Sequence, residues 1–302
     1  MEGADDTGAQ PRGVVVVGRF AELEDALVER VLELRGDRPL TPLTVVVGSA
    51  PVRTHVGDLL VRRLGAVANV AVVTLGRFAG DVVARARGAP PAPLDDLTHA
   101  RLARQVASAP PGGVLRYFSR VVERPHFADA LAATFADLRE AGVAPGSGWE
   151  RHVEADGAGA KGRDLGVLYA AYCARLDRLA LHDRAGVFLA AAEAFREGLH
   201  GGRGPLAGDV VLYGIYDLNE AQERLVSLVL AAGADALVPA ADGDDETLLT
   251  LLATARRAGL RERRATPPSA ARTDRELVGL LARPGTRATP AVRLAGDGSL
   301  GV

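Results

Sequence analysis

The stretch 13-GVVVVGRFAELEDALVERVLELRG-36 joins a strand pattern directly to an amphipathic helix pattern, and this unit decides the fold class. Val14–Val17 is an unbroken β-branched run, which is typical of a strand buried on both faces. Apolar residues then recur at helical spacing through Phe20–Arg35, and Gly36 is a C-terminal stop signal. Strands that alternate with helices form parallel sheets, so the stretch predicts an α/β fold.

The same alternation continues along the chain and is interrupted once. Strand patterns recur at Leu43–Val47, Val70–Val73, Val210–Tyr213 and Ala236–Val238, and helix patterns at Val52–Leu64, Phe78–Arg87, Glu220–Ala232 and Thr247–Ala258. Between residues 97 and 200 only helical periodicity is present, at Leu102–Val106, Val114–Val122, Phe127–Ala141, Leu165–Leu181 and Ala185–Leu199. The pattern predicts a parallel doubly wound sheet with an inserted all-helical subdomain.

Changes in composition divide the chain into four parts. We expect a disordered tail at 1–12, an α/β domain at 13–91 and 205–260, and the inserted helical subdomain at 92–204. Residues 261–302 are predicted to be a linker and the start of a following domain, because Val292–Ala295 has a strand pattern close to the end of the chain.

Composition excludes several classes of protein. Cys173 is the only cysteine, so neither an intramolecular disulfide nor a thiolate metal cluster can form, which suits a reducing cytoplasm. The net charge of −2 excludes an overall basic coat. The longest apolar stretch, Leu225–Ala241, is broken by Gly233, Asp235 and Pro239 and predicts no membrane span. We therefore expect a cytoplasmic protein without a membrane partner.

Lys161 is the only lysine among the 36 basic residues, so the chain can hold at most one site that needs a lysine on a phosphate or a metal. It lies in the glycine-rich segment 155-ADGAGAKG-162, which predicts a solvated loop. The six histidines lack the spacing of a zinc hydrolase, and no G-x-S-x-G elbow is present. These features predict no catalytic residue in this chain.

A phosphate-binding loop is expected after the first strand, where Gly18 matches the first glycine of the pattern GxxxxGK[ST]. Leu23 then stands at the second glycine, Glu24 at the lysine and Asp25 at the hydroxyl residue. Two carboxylates would repel a triphosphate. The segment predicts a degenerate nucleotide site, and an ordinary helix N-terminus is the alternative interpretation.

The strand that follows the helical block has a second motif, 210-VVLYGIYDLNEAQERL-225. It resembles the DExQDxNxxQ segment of superfamily 1 helicases: Asp217, Asn219 and Gln222 match, and Tyr213-Gly214 replaces the acidic pair that holds magnesium. The segment 74-TLGRFA-79 is similar to the TFHSFA segment of these helicases, and 47-VGSAPVR-53 occupies the place of their DNA-backbone motif. The resemblance implies a P-loop-NTPase-like sheet.

The combination resembles the B subunit of AddAB-type helicase–nucleases, within the PD-(D/E)XK nuclease family proteins. Three segments are similar: 72-VVTLGRFAGDVV-83, the 168–195 pair of helices around the turn His182-Asp183-Arg184, and 210–225. The resemblance implies an inactivated helicase-like region that acts in double-strand break processing and recombinational DNA repair. It also implies a nuclease domain, with its magnesium, that this chain lacks. The chain is therefore expected to be a fragment or a truncated member, without activity or cofactor of its own, and to meet a partner helicase–nuclease subunit.

DNA contact is the function that remains. Four residues lie just past predicted strand ends, where side-chain donors and helix N-termini suit phosphate oxygens: Ser49, Thr54, Thr74 and Arg77. Turn or cap roles are the alternative for Ser49 and Thr74. Arg53, Arg62 and Arg63 are expected to extend this track along the second helix, with a solvated helix face as the alternative. Phe78 is open to two interpretations, base stacking or core packing, and Arg257–Arg264 to DNA or partner contact or a solvated helix end.

A second class of function stays open at this point. A stand-alone α/β protein would bind a nucleotide or small metabolite in the crevice at the carboxyl edge of its sheet.

Overall fold

The computed structural model describes residues 13–36, 40–66, 68–113, 115–124, 126–155, 159–200, 208–240 and 249–265. Its eight strands are β1 Val14–Gly18, β2 Leu43–Val47, β3 Val70–Thr74, β4 Ala92–Pro93, β5 Leu181–His182, β6 Asp209–Tyr213, β7 Asp235–Pro239 and β8 Arg261–Arg264. Its ten helices are α1 Phe20–Arg35, α2 Ala50–Leu64, α3 Leu75–Arg87, α4 Asp96–Ser108, α5 Phe127–Glu140, α6 Glu150–Ala155, α7 Gly159–Leu179, α8 Arg184–His200, α9 Glu220–Ala231 and α10 Thr250–Arg257. Both counts refer to the described residues.

The predicted α/β class is confirmed. Six strands form one sheet in the order β3-β2-β6-β7-β1-β8, and every pair of neighbours in it is parallel. The unbroken valine run forms the interior strand β1, which pairs with β7 on one side and β8 on the other. Crossover helices bury both faces of a parallel sheet, which explains why the sequence of β1 does not alternate.

The chain divides into two compact units, each with its own core. The first consists of the residues up to Thr74, Gly208–Asp217 and the residues from Val229 onward, and it contains the six-stranded sheet. The second consists of Leu75–Ala207 and Leu218–Leu228. It is mainly helical and contains the short parallel pair β4-β5.

The expectation of an all-helical insertion is wrong at the short strand pair β4-β5, whose two-residue strands leave no pattern in the sequence. The sequence also mispredicted three other segments. Val114–Val122, expected to be helical, forms turns and a short 3-10 helix at Phe118–Arg120 in its described part. The buried carboxylate of Asp164 accepts hydrogen bonds from the N–H groups of Tyr117 and Phe118, at 2.7 and 3.1 Å, and so draws this backbone out of helical bonding.

The other two errors concern charged residues. Lys161 lies in the first turns of α7 and not in a loop. The predicted helix end at Arg257–Arg264 contains the edge strand β8, which pairs with β1 along its length. Four consecutive charged residues have no alternating pattern, so only the free edge of β1 explains this strand. The predicted tail 1–12, most of the segment 201–208 and the predicted strand Val292–Ala295 lie outside the described residues.

A buried ion pair ties α1 to the sheet within the first unit. Asp235, at the start of β7, is 3% exposed; its Oδ2 accepts a hydrogen bond from Arg30 Nε at 2.7 Å and its Oδ1 one from the Val14 N–H at 2.8 Å. Burial raises the pKa of Asp235, while the bonds from Arg30 and Val14 oppose that rise. One carboxylate thus connects β7, β1 and α1.

The second unit has an aromatic core between α5 and α7. Phe135 packs against Tyr169 and Tyr172, with ring centroids 5.6 and 4.9 Å apart. The Tyr169 hydroxyl donates to the Val143 carbonyl at 2.7 Å, which satisfies one buried polar group. Among the described helices, none is long and apolar enough to cross a membrane.

We expect Asp235→Ala to lower the free energy of unfolding by about 3 kcal/mol, because the half-buried Arg30 guanidinium and the Val14 N–H lose their acceptor. Glu33→Ala is the matched control, since Glu33 is the other partner of Arg30 but its side chain is 49% exposed; we expect it to cost less than about 1 kcal/mol. Urea denaturation measures both, and equal losses would contradict the proposed anchoring role of Asp235.

Candidate functional site

The carboxyl ends of β1 and β7 meet at the point where ligands bind in open parallel sheets. From β1 the chain continues to β2, toward the β3 edge of the sheet. From β7 it continues to β8, which is the opposite edge. A crevice is expected between such strands, beyond their carboxyl ends. Gly18 and Pro239 are register partners there, and the Ala240 N–H donates to the Gly18 carbonyl at 2.9 Å.

No phosphate loop can form at this point. Strand β1 ends at Gly18 and helix α1 begins at Phe20, so Arg19 is the only residue between them. A GxxxxGK[ST] loop needs several residues between strand and helix to surround a phosphate. A Cβ placed on Gly18 would lie 2.7 Å from the Ala265 Cβ, so the space beside this glycine is already filled.

The N-terminus of α1 has an anion of its own. Glu22 Oε2 accepts a hydrogen bond from the Arg19 N–H at 3.0 Å, which places a carboxylate where the helix dipole favours negative charge. Leu23, at the position of the second glycine, is fully buried in the core of the first unit. At the predicted degenerate site, the Ala265 side chain therefore fills the space beside Gly18, and the Glu22 carboxylate already occupies the Arg19 N–H.

Glu24 and Asp25 connect α1 to α2. Glu24 Oε1 lies 2.7 Å from His55 Nε2, and Asp25 Oδ1 accepts a hydrogen bond from Arg63 Nη2 at 2.6 Å. The two acids at the lysine and hydroxyl positions thus face basic side chains of the neighbouring helix. Arg63, expected in a DNA track, has an acidic partner in this arrangement.

Tyr213 and Gly214 occupy the place of a magnesium-binding acidic pair and have no metal ligand to offer. Tyr213 is 1% exposed, and burial raises the pKa of its hydroxyl, with the nearby Glu24 carboxylate as a smaller cause. Gly214 has φ +68°, and its N–H donates to the Leu237 carbonyl at 3.0 Å. A side chain is disfavoured at this φ, and a Cβ there would lie 3.3 Å from the Phe20 ring.

Asn219 and Gln222 form a reciprocal cap at the start of α9. The Gln222 N–H donates to Asn219 Oδ1 at 2.9 Å, and the Asn219 N–H donates to Gln222 Oε1 at 3.1 Å. Both bonds satisfy backbone donors that the helix leaves open. Asp217, in the first unit, accepts a long hydrogen bond from Thr250 Oγ1 at 3.4 Å. The three motif positions have identifiable structural roles.

The DNA-contact candidates fall in both units. In the first unit, Ser49 is the N-cap of α2, Arg53 is exposed on its first turns, and Thr74 ends β3 in register with Val47. In the second unit, Arg77 lies on α3 and forms an ion pair with Asp81 at 2.9 Å. The structure therefore groups Ser49, Arg53 and Thr74 at the carboxyl edge of β2 and β3.

The N-terminus of α2 differs from that of α1. It has no acidic residue in its first turn, and the Ser49 side chain makes no capping hydrogen bond. Arg53 adds a positive charge on the same turn. Backbone donors, a hydroxyl and a guanidinium group together suit an anion such as a phosphate group. Phe78, by contrast, is 5% exposed on α3, which favours core packing over base stacking.

Sequence reasoning missed a polar cavity in the second unit. The cavity measures about 400 Å³ and is lined by His99, His182, Asp183 and Glu140, among others. Arg139 Nε donates to Asp183 Oδ2 at 3.0 Å, and Asp183 Oδ1 also accepts the Gly186 N–H at 2.6 Å at the start of α8.

Burial lowers the pKa of His99 and His182, which keeps both imidazoles neutral at pH 7. Within the described ranges, no three His, Cys, Asp or Glu side chains are grouped as a metal site. The turn His182-Asp183-Arg184, noted in the sequence, supplies part of the lining, but the other lining residues come from distant segments, so this local motif did not indicate a cavity.

No protein-family model and no curated protein matches this chain.

We expect millimolar ATP with Mg²⁺ to leave the melting temperature unchanged, because Glu22 and Ala265 fill the space beside Gly18. A competent site at 100 times its dissociation constant would add about 2.7 kcal/mol of stability, which shifts a melting curve by several degrees. Thermal unfolding followed by circular dichroism measures this, with Mg²⁺ alone as the control. A rise specific to Mg²⁺–ATP would contradict the filled-site interpretation.

We expect Asn219→Ala to reduce the free energy of unfolding by about 1 kcal/mol, because α9 loses its cap. The double variant Asn219→Ala, Gln222→Ala should lose less stability than the two single variants lose together, since each side chain bonds the backbone N–H of the other residue. Ser227→Ala, within the same helix, is the control. Urea denaturation of the double-mutant cycle measures the coupling, and strictly additive losses would show that the cap does not act as a unit.

Proposed function

We propose that this chain is a non-catalytic, helicase-like DNA-binding scaffold of a helicase–nuclease that acts in double-strand break processing and recombinational repair. Its sheet is interpreted as a doubly wound, P-loop-NTPase-like sheet whose nucleotide site has been replaced by protein contacts. The observation that carries the proposal is a difference between two helix N-termini at the carboxyl edge of the sheet. The first turn of α1 contains Glu22, which accepts a hydrogen bond from the Arg19 N–H, whereas the first turn of α2 contains no acid.

The order of the elements supports the helicase-like interpretation. The segment with Asp217, Asn219 and Gln222 follows β6, which is also where the chain returns to the sheet after the helices of the second unit. The segment 74-TLGRFA-79 begins at the end of β3, immediately before that excursion. Both positions agree with the resemblance to superfamily 1 helicases.

The filled crevice argues for a scaffold and against a nucleotide- or metabolite-binding protein. Gly18 abuts Ala265, Glu22 bonds the Arg19 N–H, and Glu24 and Asp25 pair with α2. A small ligand at this edge would have to displace packed protein atoms, the Glu24–His55 hydrogen bond and the Asp25–Arg63 ion pair. DNA that runs along the surface of α2 needs no such displacement.

The phosphate contact is assigned to the start of α2. Ser49 and Arg53 lie on the same helical turn, on the exposed surface of the first unit. Pro51 has no N–H, so a phosphate placed there would accept from the Ala50 and Val52 N–H groups, the Ser49 hydroxyl and the Arg53 guanidinium group. Such contacts position a duplex or single strand without reading its sequence.

We expect the full chain to bind a labelled forked DNA with an affinity that falls steeply as salt is raised, because each neutralised phosphate releases counterions. Arg53→Ala should weaken binding severalfold and lower the slope of log affinity against log salt by about one. Fluorescence anisotropy at several salt concentrations measures both quantities.

Arg196→Ala is the matched control, since Arg196 is 50% exposed on α8 and already paired with Glu193. It should leave both affinity and slope unchanged. Absence of binding to forked DNA at low salt by the folded protein would overturn the proposed function. Equal losses for Arg53→Ala and Arg196→Ala would remove the assignment to α2.

A further inference from the structure

An aromatic side chain stands exposed among arginines in the second unit. We call residues Leu115–Arg124 the Tyr117 turn; it contains the 3-10 helix Phe118–Arg120. The Tyr117 side chain is 49% exposed, whereas Tyr169 and Tyr172 in the same unit are fully buried. One exposed aromatic side chain is common on a protein surface, but this one lies in a turn that contains three exposed arginines.

The backbone of this turn is held by a buried carboxylate. Asp164, 7% exposed on α7, accepts hydrogen bonds from the Tyr117 N–H at 2.7 Å and the Phe118 N–H at 3.1 Å. The Ser119 hydroxyl donates to the Arg116 carbonyl at 3.1 Å, which closes the turn on itself. The turn is therefore fixed by the core of the second unit and does not depend on a ligand for its shape.

The ring of Tyr117 is supported from the side. Phe118 packs edge-on against it, with centroids 5.0 Å apart and an interplanar angle of 90°. Phe118 in turn contacts Phe127 at 5.3 Å, which connects the turn to α5. A ring held in this way loses little conformational entropy when a planar ligand stacks on it.

The charge around the ring is positive. Arg116, Arg120 and Arg124 are exposed within the turn, and Glu123 is its only exposed acid. Lys161, the only lysine of the chain, places its Nζ 6.0 Å from the centroid of the Tyr117 ring. Asp164 is buried and already accepts two N–H groups, so it does not present its charge to solvent.

We propose that the Tyr117 turn binds single-stranded nucleic acid, with one base stacked on the Tyr117 ring and the adjoining phosphates on Arg116, Arg120 and Lys161. A π-face flanked by cations is the combination that single-strand sites use, because every base offers a stacking face and every linkage a negative charge. An apolar protein partner would instead need a surface depleted in charge at its centre. This inference deepens the proposed function and rests on it, since it names the form of DNA and a second contact.

The test measures binding of fluorescein-labelled oligothymidine to the full chain by anisotropy. We expect Tyr117→Ala to weaken binding about 5- to 150-fold, the loss that follows removal of one base–aromatic stack. Tyr117→Phe should bind as the wild type does, because it keeps the ring. Since Tyr117 is exposed, both variants are expected to fold, which circular dichroism verifies.

The matched control is Tyr216→Ala, because Tyr216 is a similarly exposed tyrosine, 54% exposed, that lies in the first unit and outside the Tyr117 turn. It should leave binding unchanged. Arg116→Ala should lower the salt slope by about one. Photocrosslinking with an iodouracil-substituted oligonucleotide, followed by mass spectrometry, should identify Tyr117 as the attachment site.

The outcomes separate the two proposals. If the wild type binds forked DNA but Tyr117→Ala binds oligothymidine as well as the wild type, the inference falls and the proposed function stands. The same holds if the crosslink forms only on residues of the first unit. If the wild type binds neither DNA, both fall. A defect in Tyr117→Ala that Tyr117→Phe shares would also overturn base stacking as the cause.

Discussion

A single residue between β1 and α1 is the constraint on which the carboxyl edge of the first unit depends. Arg19 alone separates the end of the strand at Gly18 from the start of the helix at Phe20. At this short connection the carboxylate of Glu22, in the first turn of α1, accepts a hydrogen bond from the Arg19 N–H. The place where a doubly wound sheet would receive a ligand is occupied by the protein's own carboxylate.

This internal anion affects the neighbouring helix. Because α1 has acids at its start, the basic side chains of α2 can pair with them: His55 meets Glu24, and Arg63 meets Asp25. These pairs orient the later turns of α2 toward α1. Its first turn, with Ser49 and Arg53, is left at the exposed edge without an acid. Glu22 offsets the positive end of the α1 dipole, whereas no acid does so in the first turn of α2. The N-terminus of α2 is therefore where an external negative charge is favoured.

Most of the fold could be predicted from the sequence because buried strands and amphipathic helices leave local patterns. The valine runs of β1 and β2 and the apolar spacing of α1 determine those elements almost to the residue. What the sequence could not show depends on distant partners. The edge strand β8 exists through its register with β1, and the turn at Tyr117 through the Asp164 carboxylate 46 or 47 residues away. At the candidate site, the loss of the phosphate-binding lysine was visible in the sequence, but the paired roles of Glu22 and Ala265 were not.

The segment that resembles the helicase motif contains two kinds of position: those whose side chains bond the backbone and those whose side chains would bind only a metal ion. Asn219 and Gln222, which match the motif, satisfy N–H groups at the start of α9, and this task requires a side-chain acceptor at each position whether or not a nucleotide binds. Tyr213 and Gly214, which depart from it, stand where the acids of the motif would serve only a metal ion. Replacing those acids cost no backbone hydrogen bond, and the tyrosine ring fills buried space that a carboxylate would occupy at the expense of desolvation. In the proposed helicase-like interpretation, the capping residues are therefore kept, and apolar surface stands in place of the metal ligands.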